Sequence, residues 1–177
     1  MSVRHVLMTL PLLAACGGDA KNALVAQPAA PALQAMVLQA APVDAVEVRA
    51  ALAATADAPL AVRGRVAAIT KGQALLQLMD LSLPYCGEKA AEDGCKTPWD
   101  YCCETPETLR AHRMVVEFRD ADGRPIATPS LPDIRLLDAI TVQGKLLVDE
   151  HGNRTLIGTG LFRNARPELP GDLNWPQ

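Results

Sequence analysis

Apolar and polar positions alternate with a period of two in four stretches of the chain, each reading as a β-strand with one buried face, and a fifth, nearly continuous apolar stretch reads as a strand as well. Residues 61–69, AVRGRVAAI, set Val62, Gly64, Val66 and Ala68 on one face and Arg63 and Arg65 on the other. Residues 74–81, ALLQLMDL, are apolar on both faces, with Leu76 and Leu78 opposed to Leu75, Met79 and Leu81. That pattern suits a strand covered on both sides. Residues 113–119 turn Met114, Val116 and Phe118 inward. In residues 140–148 the inward set is Ile140, Val142, Gly144, Leu146 and Val148; in 155–162 it is Leu156, Gly158, Gly160 and Phe162. His151, Gly152 and Asn153 form the hairpin loop between these last two strands.

Two stretches have helical spacing instead. In 44–54, DAVEVRAALAA, Asp44 suits an N-cap and Ala45, Val48 and Leu52 fall near one face. In TPETLRAH, Thr105 suits an N-cap and Pro106 a first helical residue. Residues 124–137 carry Pro125, Pro129 and Pro132 and read as irregular chain.

The order is a short helix, three strands, a long connection and a terminal hairpin, with Gly64, Gly144, Gly158 and Gly160 inside strands. This pattern resembles the OB-fold over residues 44–163. The resemblance implies a mainly β domain: a five-stranded OB-like barrel with a short N-terminal helix and a cysteine-rich insertion, residues 84–110, between strands 2 and 3. The chain departs from the OB pattern where a helix normally joins strands three and four. An open β-sandwich is the alternative.

Outside the domain the composition changes. Residues 16–43 are Ala-, Gln- and Pro-rich and read as a tether, and 164–177 as an irregular tail. Residues 1–15 open with Arg4 and an apolar run too short to span a bilayer. The run ends in Leu13-Ala14-Ala15-Cys16, which resembles the bacterial lipoprotein box. That resemblance implies a signal peptide cleaved before Cys16, lipidation of its thiol, and a cell-envelope protein facing the periplasm. Gly17 resembles the outer-membrane pattern of enteric lipoproteins. The membrane is then reached through the N-terminal lipid.

Without residues 1–15 the chain has 16 Lys and Arg against 20 Asp and Glu, net −4. The insertion up to Leu109 has six acids and two lysines, also net −4. Such a balance argues against nucleic acid as a partner and leaves a cation or a basic envelope protein.

The insertion holds Cys86, Cys95, Cys102 and Cys103, spaced C-x8-C-x6-C-C. Adjacent cysteines rarely meet disulfide geometry, so in an oxidising envelope Cys86 and Cys95 would each pair with one of the adjacent two, in either combination. In an extended segment Cys102 and Cys103 would point opposite ways, each to its own partner. The same four thiols could instead hold zinc or copper(I), although the short C-x2-C chelating pairs are missing. Thiol–disulfide redox chemistry is a third reading, without the C-x-x-C spacing. Trp99, Asp100 and Tyr101 form a possible partner contact or pack over the cysteines. The run TPWDYCC resembles a motif of uncharacterised bacterial secreted lipoproteins, which implies no catalytic residue.

No nucleophile elbow, P-loop, dinucleotide fingerprint or zinc-protease motif occurs, and after residue 15 the only serines are Ser82 and Ser130. His112 and His151 read as ordinary surface residues. The expectation is a non-enzymatic binding or structural module without a cofactor, the metal and redox readings standing as alternatives.

Overall fold

The computed structural model describes residues 27–88 and 100–168. Within them lie α1 (Pro31–Gln34), β1 (Val46–Glu47), α2 (Val48–Leu52), β2 (Pro59–Ile69), β3 (Leu75–Met79), α3 (Pro106–His112), β4 (Arg113–Glu117), β5 (Ala139–Val148) and β6 (Arg154–Ala165). The protein is mainly β, with one six-stranded mixed sheet in the order β1-β2-β3-β4-β6-β5. Because β2 also pairs with β5, the ladders of the five longer strands run in a closed cycle. The β1–β2 and β4–β6 pairs are parallel and the others antiparallel.

The sixth strand is a correction to the expected five, and it comes from a mistaken cap. Asp44 does not start a helix; its φ of 60° makes a left-handed turn. The next residues then pair with β2, Val46 opposite Val62 and Glu47 opposite Arg63. Helix α2 begins only at Val48, and its fully buried residues are Val48 and Ala51. Helix α3 is as read: the Thr105 side chain accepts the Thr108 N–H at 3.1 Å, and Pro106 opens the helix.

The core is built from the inward faces of the alternating strands. Val62, Val66, Leu76, Leu78, Met114, Val116, Phe118, Ile140, Val142, Leu146 and Leu156 are buried together. Two bulges shift the expected faces. In β2 the register slips between Val66 and Ala68, so Ile69, opposite Leu76, turns toward the core while Ala68 lies opposite Gln77. In β6 Gly144 pairs with Gly158 but Gln143 with Gly160, leaving Thr159 as the extra residue. One extra residue reverses every later side chain. Leu161 therefore takes the core position expected of Phe162. Gly160 shares the outward side of exposed Gln143 and is covered by Leu38, whose methyl group lies 2.9 Å from where a Cβ would sit.

Leu38 belongs to chain expected to be tether. Leu33 is fully buried in the main core, the Ala30 N–H donates to Thr128 Oγ1 at 3.0 Å, and Val37 bridges Leu161. The apolar spacing of Leu33, Val37 and Leu38 was masked by the flanking Ala and Pro. At the other end β6 runs to Ala165, and Arg166 is held by Asp138 and Asp133. The packed region thus extends beyond 44–163 on both sides. Residues 124–137 are irregular, as read, yet Ile126, Leu131, Ile134 and Leu137 are buried. Ile126, Leu131 and Ile134 join the main core from this irregular chain.

Candidate functional site

The insertion leaves β3 at Asp80 and returns through α3. Its base rests on the outer side of the sheet, where Met79 packs with Leu83 and Tyr101, and Ala67, Tyr85 and Leu109 close the edge. Here the double-faced reading of β3 finds its cause: Leu76 and Leu78 enter the main core, and Met79 faces the insertion.

Arg65 fastens this base. Alternation assigned it to solvent, but it is only 8% exposed. It donates from Nη1 to the Leu83 carbonyl at 3.1 Å and from Nη2 to Glu88 Oε1 at 2.5 Å. Its guanidinium stands 4.8 Å from the centre of the Tyr85 ring. A buried guanidinium is stable when its charge and donors are met in this way. Burial pushes the Tyr85 phenol above its ordinary value and Glu88 adds to the rise, while Arg65 opposes it. Burial likewise raises Tyr101, again against the pull of Arg65. The Tyr101 hydroxyl is buried without a geometrically sound hydrogen bond among the described residues.

Asp80 ties the same base to α2. Its Oδ2 accepts the Arg49 N–H at 2.8 Å, and its Oδ1 accepts the Ser82 N–H at 3.0 Å and hydroxyl at 2.6 Å. Burial alone would raise this carboxyl, but the bonds from Ser82 and Arg49 outweigh it and hold the pKa below the ordinary 3.8. A carboxylate depressed on folding stabilises the fold above its unfolded pKa, and that stability is lost as pH falls through the folded value. Asp80→Asn is therefore expected to cost about 1–2 kcal/mol at neutral pH. The difference from the parent should shrink as urea midpoints are measured from neutral pH down through and below pH 3.8. A gap that stays constant in acid would contradict the charge-based account.

The backbone closes the insertion where the Cys86 N–H donates to the Asp100 carbonyl at 2.9 Å. Residues 101–104 then form a turn, the Glu104 N–H donating to the Tyr101 carbonyl at 3.0 Å. This corrects the expectation of an extended Cys102–Cys103 segment with opposed thiols. The sulfurs of Cys86, Cys102 and Cys103 all lie within 4.8 Å of one another, with Cys86 and Cys102 at 3.6 Å. Cys86 is buried, while Cys102 and Cys103 belong to exposed residues. The Cys103 thiol is pushed above its ordinary value, first by hydrogen bonding with Cys102 and then by the charges of Cys102 and Cys86.

Of the other site residues, Cys16, Cys95 and Trp99 lie outside the described residues. Asp100 is exposed, its Oδ1 accepting the Tyr101 N–H at 2.7 Å. Tyr101, read as a possible partner contact or as packing over the cysteines, is 6% exposed and packs on Met79 and Leu83. His112 Nδ1 bonds the Thr108 carbonyl oxygen at 2.7 Å, and His151 is exposed in the β5–β6 loop. Sequence reasoning missed Arg65, Glu88 and Asp80. The Asp-x-Ser spacing after β3 marks a local turn for Asp80. Arg65 and Glu88 meet only through the fold.

No family profile matches the chain, and no curated protein matches it. Among solved structures it is similar to an aspartyl tRNA synthetase from Entamoeba histolytica, at 14% identity and a TM-score of 0.42, over 96% of this chain and 30% of that one. It is also similar to a protein assigned as an aspartyl-tRNA synthetase from Leishmania major Friedlin, at 11% identity and a TM-score of 0.39, over 80% of this chain and 24% of that one. The chain spans less than a third of the length of either structure.

Proposed function

We propose that this is a lipid-anchored envelope protein, an OB-like barrel that acts as a non-enzymatic platform for its cysteine insertion. The barrel reading is supported by the strand cycle. Counted without the two-residue β1, the ladders run first-second-third-fifth-fourth and back to the first, with the third and fifth strands parallel. That is the connectivity of an OB barrel, whose outer face often binds oligonucleotides or oligosaccharides. In this chain the acidic insertion covers part of that face beside β3, which argues against a phosphate backbone as ligand.

The observation that carries the platform reading is the base of the insertion. Arg65, Met79 and Tyr101 hold both of its ends against one rigid sheet, as a binding loop requires. An envelope protein, with basic groups complementary to Asp100 and its neighbours, is the proposed partner. The anchor reading rests on Leu13-Ala14-Ala15-Cys16. From Cys16 to the packed Ala29 the chain reaches at most about 45 Å, so the domain would ride close to the membrane.

Fractionation of bacteria expressing the full chain tests this reading. The protein is expected in the membrane pellet, with an acylated Cys16 peptide by mass spectrometry, and Cys16→Ser in the soluble fraction. A photo-crosslinker at Asp100 is expected to capture an envelope protein, and one at exposed Glu150, on the β5–β6 loop, is not. Equal partition of the parent and Cys16→Ser would defeat the anchor, and equal capture from both positions would defeat the partner surface.

A further inference from the structure

We infer that Cys86, Cys102 and Cys103 form a binding site for a thiophilic d10 cation, zinc(II) or copper(I). The inference goes beyond the platform reading and concerns what the three thiols hold in their reduced state.

Three thiols from two separated stretches of chain point at one another. Cys86 reaches the site from the outgoing side of the insertion, Cys102 and Cys103 from the returning side. The Cys86–Asp100 backbone bond brings the two sides together, and the turn at 101–104 swings both adjacent thiols to the same side. A tetrahedral ion with sulfur ligands at about 2.3 Å has ligand–ligand edges of about 3.8 Å. The Cys86–Cys102 separation of 3.6 Å falls at that spacing, and the full set lies within 4.8 Å.

The donors fix the class of ion. Three thiolates, with no oxygen or imidazole in the set among the described residues, select soft d10 cations over magnesium or calcium. They suit trigonal copper(I), or zinc(II) with one position left for another ligand. Binding displaces the thiol protons to solvent and changes no oxidation state. The ion would also join the two sides of the insertion, so occupancy would brace the surface around exposed Asp100.

The test is an anaerobic titration of the reduced full-length chain with cobalt(II) as a spectroscopic stand-in for zinc. One equivalent per chain is expected, with thiolate-to-cobalt charge-transfer absorption and the strong visible bands of a tetrahedral ion, both bleached by zinc(II). Cys103→Ser is the informative variant because Cys103 is exposed, so its metal-free urea midpoint should match the parent. Its cobalt affinity should fall by at least about tenfold, since even outer-shell changes cost that much. Copper(I), delivered as its acetonitrile complex, should quench the cobalt bands with the same stoichiometry. Absence of the charge-transfer band would overturn the site, as would unchanged cobalt affinity in Cys103→Ser.

Discussion

Arg166→Ala is expected to lower the unfolding free energy by about 3–5 kcal/mol, because it strands a buried carboxylate. Asp138 is fully buried, and Arg166 donates to both of its oxygens, from Nε at 2.8 Å and from Nη2 at 2.7 Å. Arg166 also reaches Asp133, through Nη1 to Oδ1 at 3.2 Å and through Nη2 to the carbonyl at 3.0 Å. Its hydrogen bonds to the Asp138 carboxylate hold the Arg166 guanidinium more firmly protonated than usual. After truncation the backbone N–H of Arg135, at 2.9 Å from Oδ2, is the one hydrogen-bond donor left to the Asp138 carboxylate among the described residues. The cost is that of an uncompensated buried charge, which exceeds the net worth of the intact pair. Pairing Arg166→Ala with Asp138→Asn removes the charge and keeps an acceptor for Arg135, so it should restore more than half of the loss. Urea unfolding of the two single variants and the double variant measures this, with the slope unchanged if only stability has moved. A double variant no better than Arg166→Ala would show that the stranded charge is not the cause.

Gly144→Ala is expected to cost about 3 kcal/mol or more, at or above the top of the usual range for overpacking. A Cβ at Gly144 would overlap the Ile157 carbonyl oxygen and stand 2.9 Å from its carbon. Both are backbone atoms of the paired strand at the β6 bulge, so no side-chain rotation relieves the clash. The ladder itself would have to open. A Cβ at Gly158 would stand 2.5 Å from the Phe118 ring, a side chain but a fully buried one, so this position should be nearly as intolerant. Gly123 gives the contrast: its φ of 78° is unfavourable for alanine, but nothing lies within 4 Å of its Cβ position. Gly123→Ala should therefore cost only about 1 kcal/mol. Thermal melts of Gly144→Ala and Gly123→Ala decide the matter. Equal losses would mean that backbone conformation, and not the strand contact, sets the cost.

Much of the domain was legible because local rules agreed with the fold. In β5 the alternation of Ile140, Val142, Gly144 and Leu146 is the observed buried face. Thr105 and Pro106 announced α3 because a cap and a fixed φ act within one turn. Reading failed where one residue changes the phase. The bulge at Thr159 exchanged Leu161 for Phe162, and nothing in GTGLF marks which residue is extra. Asp44 failed for a related reason: the residues after it found a better ladder on β2 than a helical turn could offer.

The candidate site divides in the same way. The cysteine types, their number and the acidic setting are visible in the residues, and they limit the chemistry to disulfides, soft metals or redox exchange. Their convergence is not visible, since it depends on the 101–104 turn and on the Cys86–Asp100 closure. Tyr101 is a packed anchor and not a surface contact because Met79 and Leu83 lie beneath it.

By itself the sequence determined the alternation of the strands, the caps of α3, the irregular 124–137 connection, the acidic insertion and the thiol inventory. These follow from short-range sterics and from the period of side-chain burial. Only the tertiary structure decided that β2 meets β5, that Leu33 and Leu38 seat the expected tether, that Arg65 and Asp80 brace the insertion, and that three sulfurs share one point. Each of these joins residues far apart in the chain. Local propensity has no term for such contacts until the core has closed.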